Sequence, residues 1–98
     1  LESKYLIFSG IGDPSGFKDI LVENKFNIAR EMIFPDHYDY SLDDLKKIQN
    51  IAKNEDLKII TTEKDFMKIP EEFKKEINFL TIDLVIQDEK KLIELLTK

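Results

Sequence analysis

The two most apolar runs of this chain, "YLIF" at residues 5–8 and "LKIITT" at 57–62, each break off into a polar turn followed by a stretch with helical spacing. That alternation leaves few folds open. A continuous apolar run of this length suits a strand buried on both faces, and β-branched residues sit well on a pleated surface. After the first run, Asp13 reads as a helix N-cap with Pro14 at the first helical position, and Phe17, Ile20 and Leu21 follow on one helical face. A second strand spans about Ile28 to Phe34, where Arg30 and Glu31 indicate a partly wet edge. Ser41 opens the next helix, with Asp44 three residues on in a capping-box arrangement and Leu42, Leu45, Ile48 and Ala52 as its buried stripe.

Beyond the third strand, Pro70 starts a short helix carrying Phe73 and Ile77, "NFLTIDLVI" forms a fourth strand, and Asp88 caps a last helix with Leu92, Leu95 and Leu96. The charged runs "EEFKKE" and "DEKK" read as solvated helix faces. Strands alternating with helices predict an α/β fold in three layers. Its sheet has four mostly parallel strands with helices on both faces, joined by right-handed crossovers. The two apolar strands belong in the middle, which gives the order 2-1-3-4. Ninety-eight residues form one domain with a modest core, residues 1–98.

Composition narrows the function classes. Net charge is −5, and Arg30 is the only arginine beside 14 lysines, which argues against a nucleic-acid partner. Cysteine is absent, so the chain has neither a disulfide framework nor a thiolate metal site. No apolar run approaches the ~18 residues of a membrane span. The first residue is leucine, which leads us to expect a piece of something longer.

In open parallel sheets, ligands sit beyond the carboxyl ends of the strands. Three polar stretches gather there. "SGIGD" offers two glycines and a helix N-terminus, yet Asp13 already caps that helix, and neither GxGxxG nor GxxxxGK[ST] is present; a plain strand-to-helix turn explains it as well. "PDHYDYS" holds the sole histidine, His37. It can act as base, proton relay or orienting partner, or it is a surface histidine bonded to Asp36 or Asp39. A metal site falls short of a ligand set. "TTEKD" offers Thr61 and Thr62 as donors and Lys64 as a phosphate contact; alternatively Glu63 and Asp65 pair with Lys64 on the surface, or a threonine caps the turn.

Taken together, "FSGIGDPSGF", "FPDHYDYS" and "ITTEKDFMKI", in this order and at these separations, resemble the C-terminal part of the tetraacyldisaccharide 4'-kinase (lipid A 4'-kinase) family of Gram-negative bacteria. The resemblance runs from about Tyr5 to Ile69. It implies transfer of the γ-phosphoryl group of ATP, with Mg²⁺, to the 4'-hydroxyl of a lipid A disaccharide precursor at the cytoplasmic face of the inner membrane. It further implies that the Walker A loop, the magnesium ligands and the catalytic aspartate belong to a separate N-terminal P-loop domain; with no amphipathic basic helix visible in this sequence, we expect any membrane contact there too. The present chain is then the lid domain, inactive alone, which closes over the nucleotide. Its His37, in a catalytic stretch with Asp36, pairs with that aspartate; beyond the resemblance, we expect Gly10, Ile11, Gly12, Thr61, Thr62 and Lys64 to line the substrate and nucleotide cleft. Tyr38 stands where many members carry a second histidine. The other reading is a stand-alone anion-binding or regulatory α/β domain without catalysis.

Overall fold

The computed structural model describes residues 3–85 and 90–97, those after Leu80 by their backbone alone. In chain order the elements are β1 (Lys4–Ser9), α1 (Pro14–Glu23), β2 (Asn27–Ile33), α2 (Leu42–Glu55), β3 (Leu57–Thr62), α3 (Glu63–Phe66), α4 (Glu71–Lys74), β4 (Ile77–Val85) and β5 (Lys90–Thr97). The sheet order is β2-β1-β3-β4-β5. The first four strands are parallel in the expected order 2-1-3-4, and β5 returns antiparallel along β4.

That fifth strand corrects the expected last helix. Leu92, Leu95 and Leu96 fall at helical spacing, but with Ile93 they also make a short apolar run, and a run of this length fits a strand as well as a helix. Pairing with β4 over eight positions, from Asn78↔Thr97 to Val85↔Lys90, decides for the strand. The expected cap Asp88 lies outside the described residues. β4 pairs with β3 only from Ile77 to Leu80, so its remaining residues run on past β3, paired with β5.

Period-two alternation sorts the central strands onto two faces. Leu6, Phe8, Leu57 and Ile59 join Leu45, Ile48 and Ala52 of α2 and Phe66, Ile69 and Phe73 around α3 and α4. Ile7 and Ile60 point the other way, to Phe17 and Leu21 of α1. The two helix starts form as the caps require. Asp13 accepts from the Gly16 amide at 3.0 Å, with Pro14 next to it in the first turn. At α2 the Ser41 hydroxyl and the Asp44 carboxylate exchange bonds with each other's backbone N–H at 3.0 and 2.9 Å. β2 lies at the edge, as its charges predict, and Arg30 reaches across to Glu55 of α2. One lysine departs from the solvated-face reading of "EEFKKE". Lys74 is buried, its ammonium 5.0 Å from the centroid of Phe66 and 3.5 Å from Glu71.

Candidate functional site

Because β1, β2 and β3 run parallel, the three polar stretches leave the sheet at one edge. The stretch after β2 crosses directly over the one after β1. Phe34 N–H donates to Ser9 C=O at 2.8 Å and His37 N–H to Gly10 C=O at 3.1 Å, while a turn closes from Tyr38 N–H to Pro35 C=O at 3.1 Å. The crossing is close. A Cβ on Gly10 would stand 3.0 Å from the Pro35 carbonyl oxygen and 3.2 Å from both Tyr38 Cβ and Tyr40 Oη. Gly10 has no positive φ, so the demand is for space alone. Gly10→Ala is therefore expected to cost about 1–3 kcal/mol, since a backbone oxygen has nowhere to go. Urea unfolding reads this, and an unchanged midpoint would contradict the crossing.

His37 sits at the tip of that turn in the left-handed region, φ 62°, which histidine enters more readily than most residues. Its side chain is 71% exposed, and Nε2 lies 3.8 Å from Oδ2 of Asp36, itself about half exposed. An exposed imidazole beside a carboxylate is a pair that can take up or pass on a proton. Gly12 runs next to it: a Cβ there would meet Asp36 Oδ2 at 3.6 Å. The first and second stretches thus meet at His37, Asp36, Gly10 and Gly12.

The third stretch joins them through a residue that sequence reasoning placed on the surface. Asp65 is wholly buried. Its two carboxylate oxygens accept from the Gly10 amide at 3.2 and 3.1 Å, from the Tyr40 hydroxyl at 3.0 Å and from the Thr62 hydroxyl at 2.6 Å. Among the described residues no ion pair involves it. One acid therefore binds all three stretches. The signal was available: Thr62 followed by Asp65 three residues later is a capping-box pattern. Thr62 does cap α3, accepting from the Asp65 amide at 3.1 Å.

Two expected cleft donors must be moved. Thr61 is wholly buried, and its hydroxyl donates to the Phe8 carbonyl at 2.7 Å, because β3 alternation turns it inward. The Thr62 hydroxyl is engaged by Asp65. The Gly10 amide is likewise taken, which leaves Gly12, the backbone of Ile11 and the exposed Lys64 on the rim. The Ile11 side chain turns to the α1 face. There it lines a cavity of about 440 Å³ with Phe17, Ile20, Thr62 and Leu80, flanked by Asp13 and Asp19. A larger cavity, about 710 Å³, opens at the other end of the strands, between Lys53, Lys58 and Lys75. Among the described residues no group of three or more His, Cys, Asp or Glu is placed to hold a metal ion.

An aromatic group stiffens the crossing stretch. Phe34 and Tyr38 stack at 4.8 Å, and Tyr40 meets Phe8 and Phe34 edge-on at 5.3 and 5.1 Å. Tyr38 also donates to Asp44 at 2.7 Å, and Lys68 Nζ donates to the Tyr38 carbonyl at 3.3 Å. The Asp44 carboxyl is held below its usual range by the Ser41 backbone N–H and then by the Tyr38 hydroxyl. Burial, then the neighbouring Asp65 charge, push the Tyr40 phenol far above an ordinary tyrosine. A raised folded-state pKa means that this stability is complete below the unfolded value near ~10 and is lost as pH rises through the folded one. The stability advantage of the native chain over Tyr40→Phe should therefore narrow as pH climbs past ~10. Unfolding measured along an alkaline pH series checks this; a constant gap would contradict it.

The family model for Tetraacyldisaccharide-1-P 4'-kinase matches residues 1–98, the whole chain. The chain belongs to the tetraacyldisaccharide 4'-kinase family. It is 41% identical over 97 residues to the tetraacyldisaccharide 4'-kinase of Pelagibacter ubique, covering 99% of this chain and 31% of the relative. Against the tetraacyldisaccharide 4'-kinase of Rickettsia akari it is 37% identical over 94 residues, 96% of this chain and 29% of that one. The tetraacyldisaccharide 4'-kinase of Elusimicrobium minutum is 35% identical over 94 residues, 92% and 25%. The chain thus spans less than a third of the length of these kinases. No solved structure matches it.

Proposed function

We propose that this chain is the C-terminal part of a tetraacyldisaccharide 4'-kinase, the small domain that closes over ATP held by an N-terminal P-loop domain. The reaction moves the γ-phosphoryl group to the 4'-hydroxyl of the tetraacyldisaccharide 1-phosphate precursor of lipid A. It takes place at the cytoplasmic face of the inner membrane, and membrane contact belongs to the rest of the kinase. The observation that carries this reading is His37. A lone imidazole is presented outward from the carboxyl edge, beside Asp36, on a turn pinned to β1. Phosphoryl transfer is mostly positioning and charge stabilisation, with a base to receive the hydroxyl proton. On closure, the His37 ring meets the catalytic aspartate of the P-loop domain, orients it and shares the proton that the aspartate takes from the 4'-hydroxyl. Supplying that ring only in the closed state limits idle hydrolysis of ATP.

In this arrangement Lys64 and the backbone at Ile11 and Gly12 face phosphate from the rim, and Asp36 keeps the imidazole turned to its partner. Thr61 and Thr62 act inside the fold. The described residues do not assemble a ligand set for Mg²⁺. In this reading the ion is held by the P-loop domain, and no step is assigned to it through this chain. The test is His37→Ala in the full-length kinase, assayed for ATP-dependent phosphorylation of the disaccharide. A large fall in turnover is expected, and an unchanged rate would remove His37 from the chemistry.

A further inference from the structure

We infer that Asp65 is the positioning residue of this edge: its buried carboxylate sets where His37 stands, through the backbone of Gly10. The inference rests on the reading of His37 given above. The connection is short. Asp65 accepts the Gly10 N–H with both oxygens, and the carbonyl of the same glycine accepts the His37 N–H at 3.1 Å. From the other side, Asp65 holds Tyr40, three residues beyond His37, at 3.0 Å. The turn bearing the imidazole is thus fixed at both ends by one side chain. Its third partner, Thr62, locks that side chain at the start of α3.

An acid only three residues from its cap would ordinarily complete the capping box by accepting the cap's own N–H. Asp65 instead reaches across the sheet edge to Gly10, just past β1. The acid thus keeps its local bond to the Thr62 hydroxyl and adds a long-range one, which is what a positioning role requires. A carboxylate is also the fitting group, because Gly10, Tyr40 and Thr62 all present donors and a carboxylate only accepts. Asparagine has nearly the same shape but would turn an NH₂ toward at least one of those donors. It keeps the packing and breaks the alignment.

The experiment uses the full-length kinase with Asp65→Asn, His37→Ala and the double variant, read by turnover and by amide hydrogen exchange. Asp65→Asn should lower kcat by roughly tenfold or more while leaving KM for ATP within about twofold. In the His37→Ala background the same change should lower kcat by less than about twofold, because the ring it positions is gone. Peptides covering residues 8–13 and 33–41 should exchange faster, while those from 45–60 keep their protection. Equal kcat losses in both backgrounds would overturn the inference, as would unaltered exchange at 8–13 and 33–41. If His37→Ala itself proves silent, the catalytic reading of His37 falls. The claim that Asp65 places this segment then stands or falls on the exchange data alone. Should Asp65→Asn fail to fold, Tyr40→Phe removes a single donor. A smaller kcat loss that vanishes without His37 supports the inference, and one that persists overturns it.

Discussion

Asp65→Ala is expected to destabilise the chain by about 3–5 kcal/mol, because it strips one acceptor from three donors at once. The Gly10 N–H is buried and has no alternative partner in the crossing, so it carries a full desolvation penalty of about 1–3 kcal/mol. Thr62 and Tyr40 are only partly buried, and water can recover some of their loss. Such a fall is a large share of the roughly 5–15 kcal/mol that holds a domain of this size together. Urea unfolding with an unchanged slope would measure it. Glu63→Ala, two residues away and exposed, serves as the control and should stay within about 0.5 kcal/mol of the native chain. A loss below about 1 kcal/mol at Asp65 would show that the three stretches hold together without it.

His37→Ala in the full-length kinase is expected to lower turnover by about 10²-fold or more, the range for a group that takes part in proton transfer. Its effect on KM for ATP should be slight, since the proposed role has the ring act on the aspartate rather than on the nucleotide. Stability should hardly change. The side chain is 71% exposed, its charged neighbour is 3.8 Å away, and its structural contribution is made by the backbone N–H, which alanine retains. One cost remains, because alanine tolerates a φ of 62° less well than histidine does. His37→Asn, which accepts that conformation, separates backbone strain from lost chemistry. If asparagine restores turnover, strain was the cause; if it does not, the imidazole was.

Much of this architecture is visible in the residues themselves. The apolar continuity of "YLIF" and "LKIITT" puts β1 and β3 in the middle, and the charges of β2 put it at the edge. Asp13-Pro14 and Ser41…Asp44 mark their helix starts because capping is a local bond between neighbours in sequence. What escapes is non-local. Residues 90–97 become a strand because β4 offers an edge, a fact that lies 5–19 positions away in the register and not in the spacing of their leucines. Lys74 looks solvated by type but is buried, with its ammonium over the Phe66 ring.

The same distinction runs through the site. His37 and Asp36 are legible because a turn after a strand projects them outward, and proline at 35 announces that turn. Thr61 looks like a rim donor by position, yet its face on β3 is the core face. Asp65 is the sharpest case, since its partner Gly10 is 55 residues away. Local pattern offers a threonine as the cap of a turn; only the fold shows the acid facing inward across the sheet.

The most direct test is a structure of the full-length kinase with a non-hydrolysable ATP analogue. The His37 ring should then lie within about 2.6–3.2 Å, or one water, of a carboxylate on the proposed P-loop domain. A closed, nucleotide-bound kinase in which that ring still faces bulk solvent would contradict it.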